Sequence, residues 1–171
     1  MLQLQADTRA RLPFRAVNRR GAPDYDPSFQ RHHLLPRQLL SRSCFRHMFD
    51  WIEPGRVGFD DFRANGLLLP ANENTAQRVG LPMHRGPHRR YNQMVIERVG
   101  SIERDWSRTR IADPRKAIES ASMRMRLLQT ALRKRLLQQE NRFVLNRKDP
   151  LGYGFDFTDL DAMAEVLYGA T

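Results

Sequence analysis

The chain has 171 residues, enough for one core with extensions. A hydrophobic share of 40% with a mean hydropathy of −0.64 gives a modest core under a heavily solvated surface, and no apolar run nears the roughly 20 residues of a bilayer span. The single cysteine, Cys44, excludes an internal disulfide framework and suits a reducing compartment. Met1 to Leu12 contains no apolar run of the Sec signal-peptide type. The expected location is therefore cytoplasmic as synthesised, with no membrane partner; delivery to another cell as an effector stays open.

Charge is the strongest compositional signal. The net charge is +10, and 26 of the 29 basic residues are arginines. A guanidinium binds phosphate bidentately and stacks on bases, so nucleic acid is the first partner to consider. The charge is uneven: residues 149–171 hold five acids and no Lys or Arg, leaving +15 on the first 148 residues. The acidic end is a candidate to fold against the basic body and cover part of a substrate surface.

In chain order, residues 1–30 read as a basic, irregular arm in which arginines are scattered among Pro13, Gly21-Ala22-Pro23 and Asp26-Pro27. Arg31 to Leu35 reads as a short strand stopped by Pro36. From Gln38 to Ile52 the apolar residues Leu39, Leu40, Phe45, Met48, Phe49 and Ile52 have helical spacing, ended by Pro54-Gly55. A helical turn near Asp60–Arg63 leads to Asn65-Gly66, and Leu67-Leu68-Leu69 closed by Pro70 is a second strand. Residues 71–83 read as a polar loop. A helix opening near Pro87 and running to about Val99 places His84 and His88 one turn apart, with Tyr91, Val95 and Val99 continuing their stripe. Tyr91 is expected in the core, its hydroxyl reaching the site rim.

Asp113-Pro114 caps a long helix to about Gln139, with Ala121, Met125, Leu128, Leu132 and Leu136 as its buried stripe. A last helix is expected from Thr158-x-x-Asp161 to Gly169. The divisions are an arm over 1–30, a core over 31–100, a basic helical extension over 101–148 and an acidic helix over 149–171.

Four of the five histidines fall in one constellation: His32-His33 at a strand end and His84-x-x-x-His88 at a helix start. Three imidazoles converging from two elements leave open positions on a metal for water and a phosphate oxygen, as a catalytic site requires. A further unligated imidazole can take a proton from water. Ligand type does not choose among Mg, Mn, Ni and Zn. Adjacent strand residues point to opposite faces, so spacing leaves open which of His32 and His33 is ligand and which is base; a bulge at the strand end would bring both inward. A finger built from Cys44-x-x-His47 and His84-x-x-x-His88 is disfavoured, because the 36 intervening residues far exceed the roughly 12 to 15 such fingers use. His47 is read as a packing residue.

The segments His32-His33-Leu34-Leu35-Pro36, Asn65-Gly66-Leu67-Leu68-Leu69-Pro70 and Met83-His84-x-Gly86-x-His88-x-x-Tyr91-Asn92, in this order over roughly residues 30 to 100, resemble the AHH-type nucleases. These belong to the HNH and endonuclease VII superfamily and often occur as bacterial toxin domains. Arg31 departs from the family's usual alanine. The resemblance implies a ββα-metal core with C-terminal helices in a mainly α protein with a small β-hairpin. It implies His32, His84 and His88 as ligands of one divalent metal, His33 as general base, and Asn65 as the group holding the base or its loop. Arg31, Arg85, Arg89 and Arg90 are candidate phosphate contacts.

The expected function is a metal-dependent endonuclease of low sequence specificity, acting on DNA with RNA also open, with a toxin role and an acidic immunity protein as a further expectation. The alternative is a non-catalytic basic nucleic-acid-binding protein with a structural metal site.

Overall fold

The computed structural model describes residues 10–138, 144–145 and 149–150. The expected helix over 158–169, and with it most of the acidic end, lies outside these residues. The fold is mostly helical around a small ββα core. A 3-10 turn at Phe14–Ala16 precedes β1 (Phe29–His33), followed by α1 (Gln38–Ser41), α2 (Ser43–Ile52), α3 (Pro54–Val57) and α4 (Phe62–Asn65). Then come β2 (Gly66–Pro70), α5 (Glu73–Val79), α6 (Arg89–Ala112) and α7 (Pro114–Leu137).

The two strands form an antiparallel pair in one-to-one register from Phe29 opposite Pro70 to His33 opposite Gly66. The register holds no bulge, so strand alternation sends His32 and His33 to opposite faces. Leu34 and Leu35, expected at the end of the strand, lie past it and are fully buried.

Several expected elements differ. The helix over 38–52 is two helices, because Arg42 is extended (ψ 124°). Residues 71–83 are not all loop: Asn72 caps α5 by accepting the Thr75 N–H at 2.9 Å, and Gly80 ends it in the left-handed region at φ 68°. Helix α6 begins at Arg89, two residues after Pro87, and passes Val99 to Ala112 because Ile102 and Trp106 continue the buried stripe. His84 is therefore not on the helix. Gly86, at φ 78°, turns the chain between His84 and the helix, and His88 sits at the N-cap.

Helices α6 and α7 form a long antiparallel hairpin joined at Asp113, whose side chain accepts the Lys116 N–H at 2.9 Å. At about 1.5 Å per residue, each of these 24-residue helices is ~36 Å long. Their facing stripes, Val95, Val99, Ile102 and Trp106 with Ala121, Met125, Leu128 and Leu132, join one core with Phe45, Met48, Phe49, Ile52 and Leu69. Two arginines of α7 bond back to the body of the fold. Arg133 donates to the Arg63 and Ala64 carbonyls and Arg126 to that of Arg56, so cations meet the C-terminal ends of α4 and α3. Among the described residues no helix is long and apolar enough to cross a membrane.

Candidate metal centre and nucleic-acid cleft

His32 faces inward from β1 and is 3% exposed. Its ring lies 5.0 Å from that of His84, 5.6 Å from His88 and 4.9 Å from Tyr91, measured between centroids. His84 and His88 are 4.3 Å apart. One ring nitrogen from each of the three imidazoles lies within 4.8 Å of the others. Although His84 is not helical, the turn at Gly86 returns it to the trio, and its N–H is tied to the end of β2 by a 2.7 Å bond to the Pro70 carbonyl.

The outer side of the trio fixes the tautomers. His84 Nδ1 meets Gln30 Oε1 at 3.0 Å, and His88 Nδ1 meets the Leu145 carbonyl at 3.3 Å. A carbonyl oxygen only accepts, so each Nδ1 carries the proton and each Nε2 keeps its lone pair. His32 Nε2 and His88 Nε2 are buried without a hydrogen-bond partner among the described residues. Such atoms are costly in an apolar setting and a cation would satisfy them where they converge; His33 Nε2, equally without a partner among the described residues, lies outside the converging set. Burial, with the neighbouring imidazoles second, lowers the pKa of His32 well below the ordinary value and that of His84 to about 4; burial also lowers that of His88. All three are thus neutral near pH 7, the form that binds a metal, and the donor set fits one divalent ion.

His33 is half-buried on the other face of β1. Its ring stacks on Phe14 at 3.8 Å with a 2° interplanar angle, and Phe14 meets Phe62 edge-on at 5.1 Å. The turn bearing Phe14 is anchored in turn: Arg31 donates to the Phe14 carbonyl at 2.8 Å, the Phe62 N–H to the Leu12 carbonyl, and the Leu12 N–H to Asp61 Oδ1. The part of the expected irregular arm that carries Phe14 is thus laid along the core. Burial lowers the His33 pKa, with the Arg37 guanidinium adding to the effect and Asp60 opposing it.

Both faces meet at the strand end. A cleft of about 320 Å³ is lined by His32, His33, His84 and His88 together with Arg31, Arg37, Gln38 and Asn92. Of the four arginines expected to contact phosphate, Arg31 lines this cleft; Arg85, in the loop, and Arg89 and Arg90, in the first turn of α6, are exposed beside the two histidines. Arg37 and Gln38 were missed by sequence reasoning, although Arg37 directly follows the His-His-Leu-Leu-Pro run. Arg37 pairs with Asp60 at 3.2 Å, both side chains largely exposed.

Asn65 lies behind the cleft, fully buried at the junction of α4 and β2. Its Oδ1 accepts the Leu35 N–H at 2.7 Å, its Nδ2 donates to the Leu35 and Phe59 carbonyls, and its own carbonyl accepts the Leu34 N–H. Gln129 of α7 donates to Asn65 Oδ1 at 3.3 Å. Asn65 therefore holds the turn that leaves His33, and Tyr91 holds it from the other side through a 2.7 Å bond to the Leu34 carbonyl. His47 lies in α2 beside Trp51 and Trp106, and Cys44 is exposed and free.

A two-stranded sheet followed by a helix, with histidines on the first strand and on the loop and N-cap that lead into the helix, is the arrangement of a ββα-type nuclease. Residues 14–130 match the family described as AHH, a nuclease family of the HNH/ENDO VII superfamily with conserved AHH. The match covers well over half of the chain, so this protein belongs to the AHH nucleases, with Arg31-His32-His33 in place of the family's eponymous run. Searches of curated proteins and of solved structures found no match. Membership makes nucleic acid the substrate class.

Proposed function

We propose that this nuclease is a divalent-metal-dependent endonuclease that hydrolyses phosphodiester bonds with low sequence specificity, with DNA as the favoured substrate. The observation that carries the reading is a trio of neutral imidazoles, His32, His84 and His88, sharing a cleft with a fourth that stands apart from them, His33. His32, His84 and His88 would hold the ion, which would supply Lewis-acid stabilisation of charge on the phosphate. The protein's own residues do the rest. His33, neutral because it is buried, takes a proton from the attacking water. Since its Nε2 is enclosed, the proton goes to Nδ1. Phe14 and the turn held by Asn65 fix the ring's plane and position. Arg31 and Arg37 bind backbone phosphates on either side, which orients substrate without reading bases.

The test is cleavage of plasmid DNA, and of RNA in parallel, by the wild type and by His33→Ala across Mg²⁺, Mn²⁺, Ni²⁺, Zn²⁺ and EDTA. The expected result is metal-dependent cutting that falls about 10²- to 10⁴-fold in the variant while DNA binding and metal binding stay near wild type. Undiminished cutting by His33→Ala would remove it as the base. Salt-sensitive binding with no cutting under any metal would favour instead a nucleic-acid-binding protein with a structural metal. A toxin effector restrained by an acidic immunity protein is a further reading supported by the net charge of +10; a small acidic protein that co-purifies and blocks cleavage would support it.

A further inference from the structure

We infer that Asp149 and the Leu145 carbonyl, which follow α7 in the sequence, complete the metal centre as positioning groups for His84 and His88. The inference rests on the metal-site reading above. Residues 81–88, which carry both histidines, contain no helix or strand, so their placement depends on individual hydrogen bonds. The His84 N–H is tied to Pro70 of the sheet. The adjacent N–H, that of Met83, is tied the other way, to Asp149 Oδ2 at 2.9 Å across 66 residues of sequence. Both partners are buried, Met83 fully and Asp149 to 8% exposure. Two successive backbone N–H groups are thus pinned to opposite sides, and His84 is one of the two residues so held. At the other end of the loop the Leu145 carbonyl accepts the His88 Nδ1–H and leaves Nε2 for the metal.

Two features make this more than packing. A carboxylate accepting a backbone N–H in a buried setting makes a charge-assisted bond, stronger than a neutral one, and it acts on the segment that bears a metal ligand. Moreover, residues 145 and 149 lie outside the 14–130 span of the family match. The support of His84 and His88 from this side is therefore supplied by a part of the chain beyond the family's shared region.

The test uses the full chain with Zn²⁺ as probe, in competition with a chromophoric chelator, on wild type, Asp149→Ala, Asp149→Asn and His88→Ala. Asp149→Ala is expected to weaken Zn²⁺ binding about 10- to 100-fold at a temperature where it is folded. Asp149→Asn, which keeps an oxygen acceptor for the Met83 N–H, should restore most of it. Cleavage by Asp149→Ala should need more metal for half-activation yet approach the wild-type rate at saturation. Zn²⁺ affinity within twofold of wild type in folded Asp149→Ala would overturn the role of Asp149. If that variant does not fold, the wild type decides: side-chain ¹⁵N–¹H correlation of the metal-free protein must show His88 protonated at Nδ1, and protonation at Nε2 would overturn the inference. Failure of wild type and His88→Ala alike to bind Zn²⁺ would overturn the metal-site reading itself, while the tautomer still tests the Leu145 contact.

Discussion

His32 and His33 are chemically identical and adjacent, and backbone alternation alone gives them different surroundings: two imidazoles and Tyr91 on one side, the flat face of Phe14 on the other. Their shared property is a pKa lowered by burial, and this has a consequence for stability. A group whose folded pKa lies below its unfolded value binds more protons when unfolded, so its contribution to stability is present above the unfolded value and is lost as pH falls. For His84 the window runs from about 6.5 down to about 4. The metal-free protein should therefore lose stability across that window, seen as a falling denaturant midpoint, and His84→Gln should flatten the fall. Equal slopes in the two proteins would show that His84 is not held neutral. At this scale residue type and order were readable: the trio and its neighbour were singled out from spacing and family resemblance. Arg37 was not, because nothing in a lone arginine after a proline tells that the chain turns it back beside His33.

Elements were legible where pattern and caps agree and obscure where only one speaks. Helix α7 has both an apolar stripe and Asp113-Pro114. Helix α5 has good caps in Asn72 and Gly80, but its sequence, Glu-Asn-Thr-Ala-Gln-Arg-Val, carries too few apolar residues for a periodic signal and reads as loop. The spacing of His84 and His88 gave the opposite error: i,i+4 separation fits a helix, whereas the pair is brought together by a glycine turn and by hydrogen bonds to Pro70 and Leu145 that no local pattern reveals. The start of β2 carries a prediction. A Cβ at Gly66 would lie 2.2 Å from the Phe62 ring, which packs on Phe14 and through it on His33. Gly66→Ala should cost about 1–3 kcal/mol in equilibrium unfolding and reduce cleavage as well, because Phe62 has to shift and with it its contact to Phe14. A variant as stable as wild type would mean that the ring has room to swing away.

At the scale of the molecule, positive charge dominates and the cleft opens through it. Binding to duplex DNA should weaken linearly in log–log terms with salt, by a slope of about 0.9 per phosphate neutralised. Arg37 is well suited to be one of the contacts, since its exposed pair with Asp60 is worth only ~0–1 kcal/mol and is readily exchanged for a phosphate. Arg37→Ala should lower the slope by about one and weaken different sequences alike, measured by fluorescence anisotropy over a salt series. An unchanged slope would place the phosphate path elsewhere, with Arg85, Arg89 and Arg90 the next to test.

The groups around this cleft are drawn from Phe14 near one end of the chain to Asp149 near the other. The four histidines are made before the two residues proposed to brace His84 and His88, so on that proposal the hairpin and helices can form ahead of the completed site. Under that proposal the site is closed by residues made later than the histidines they hold, so its last contacts form across long separations in the sequence.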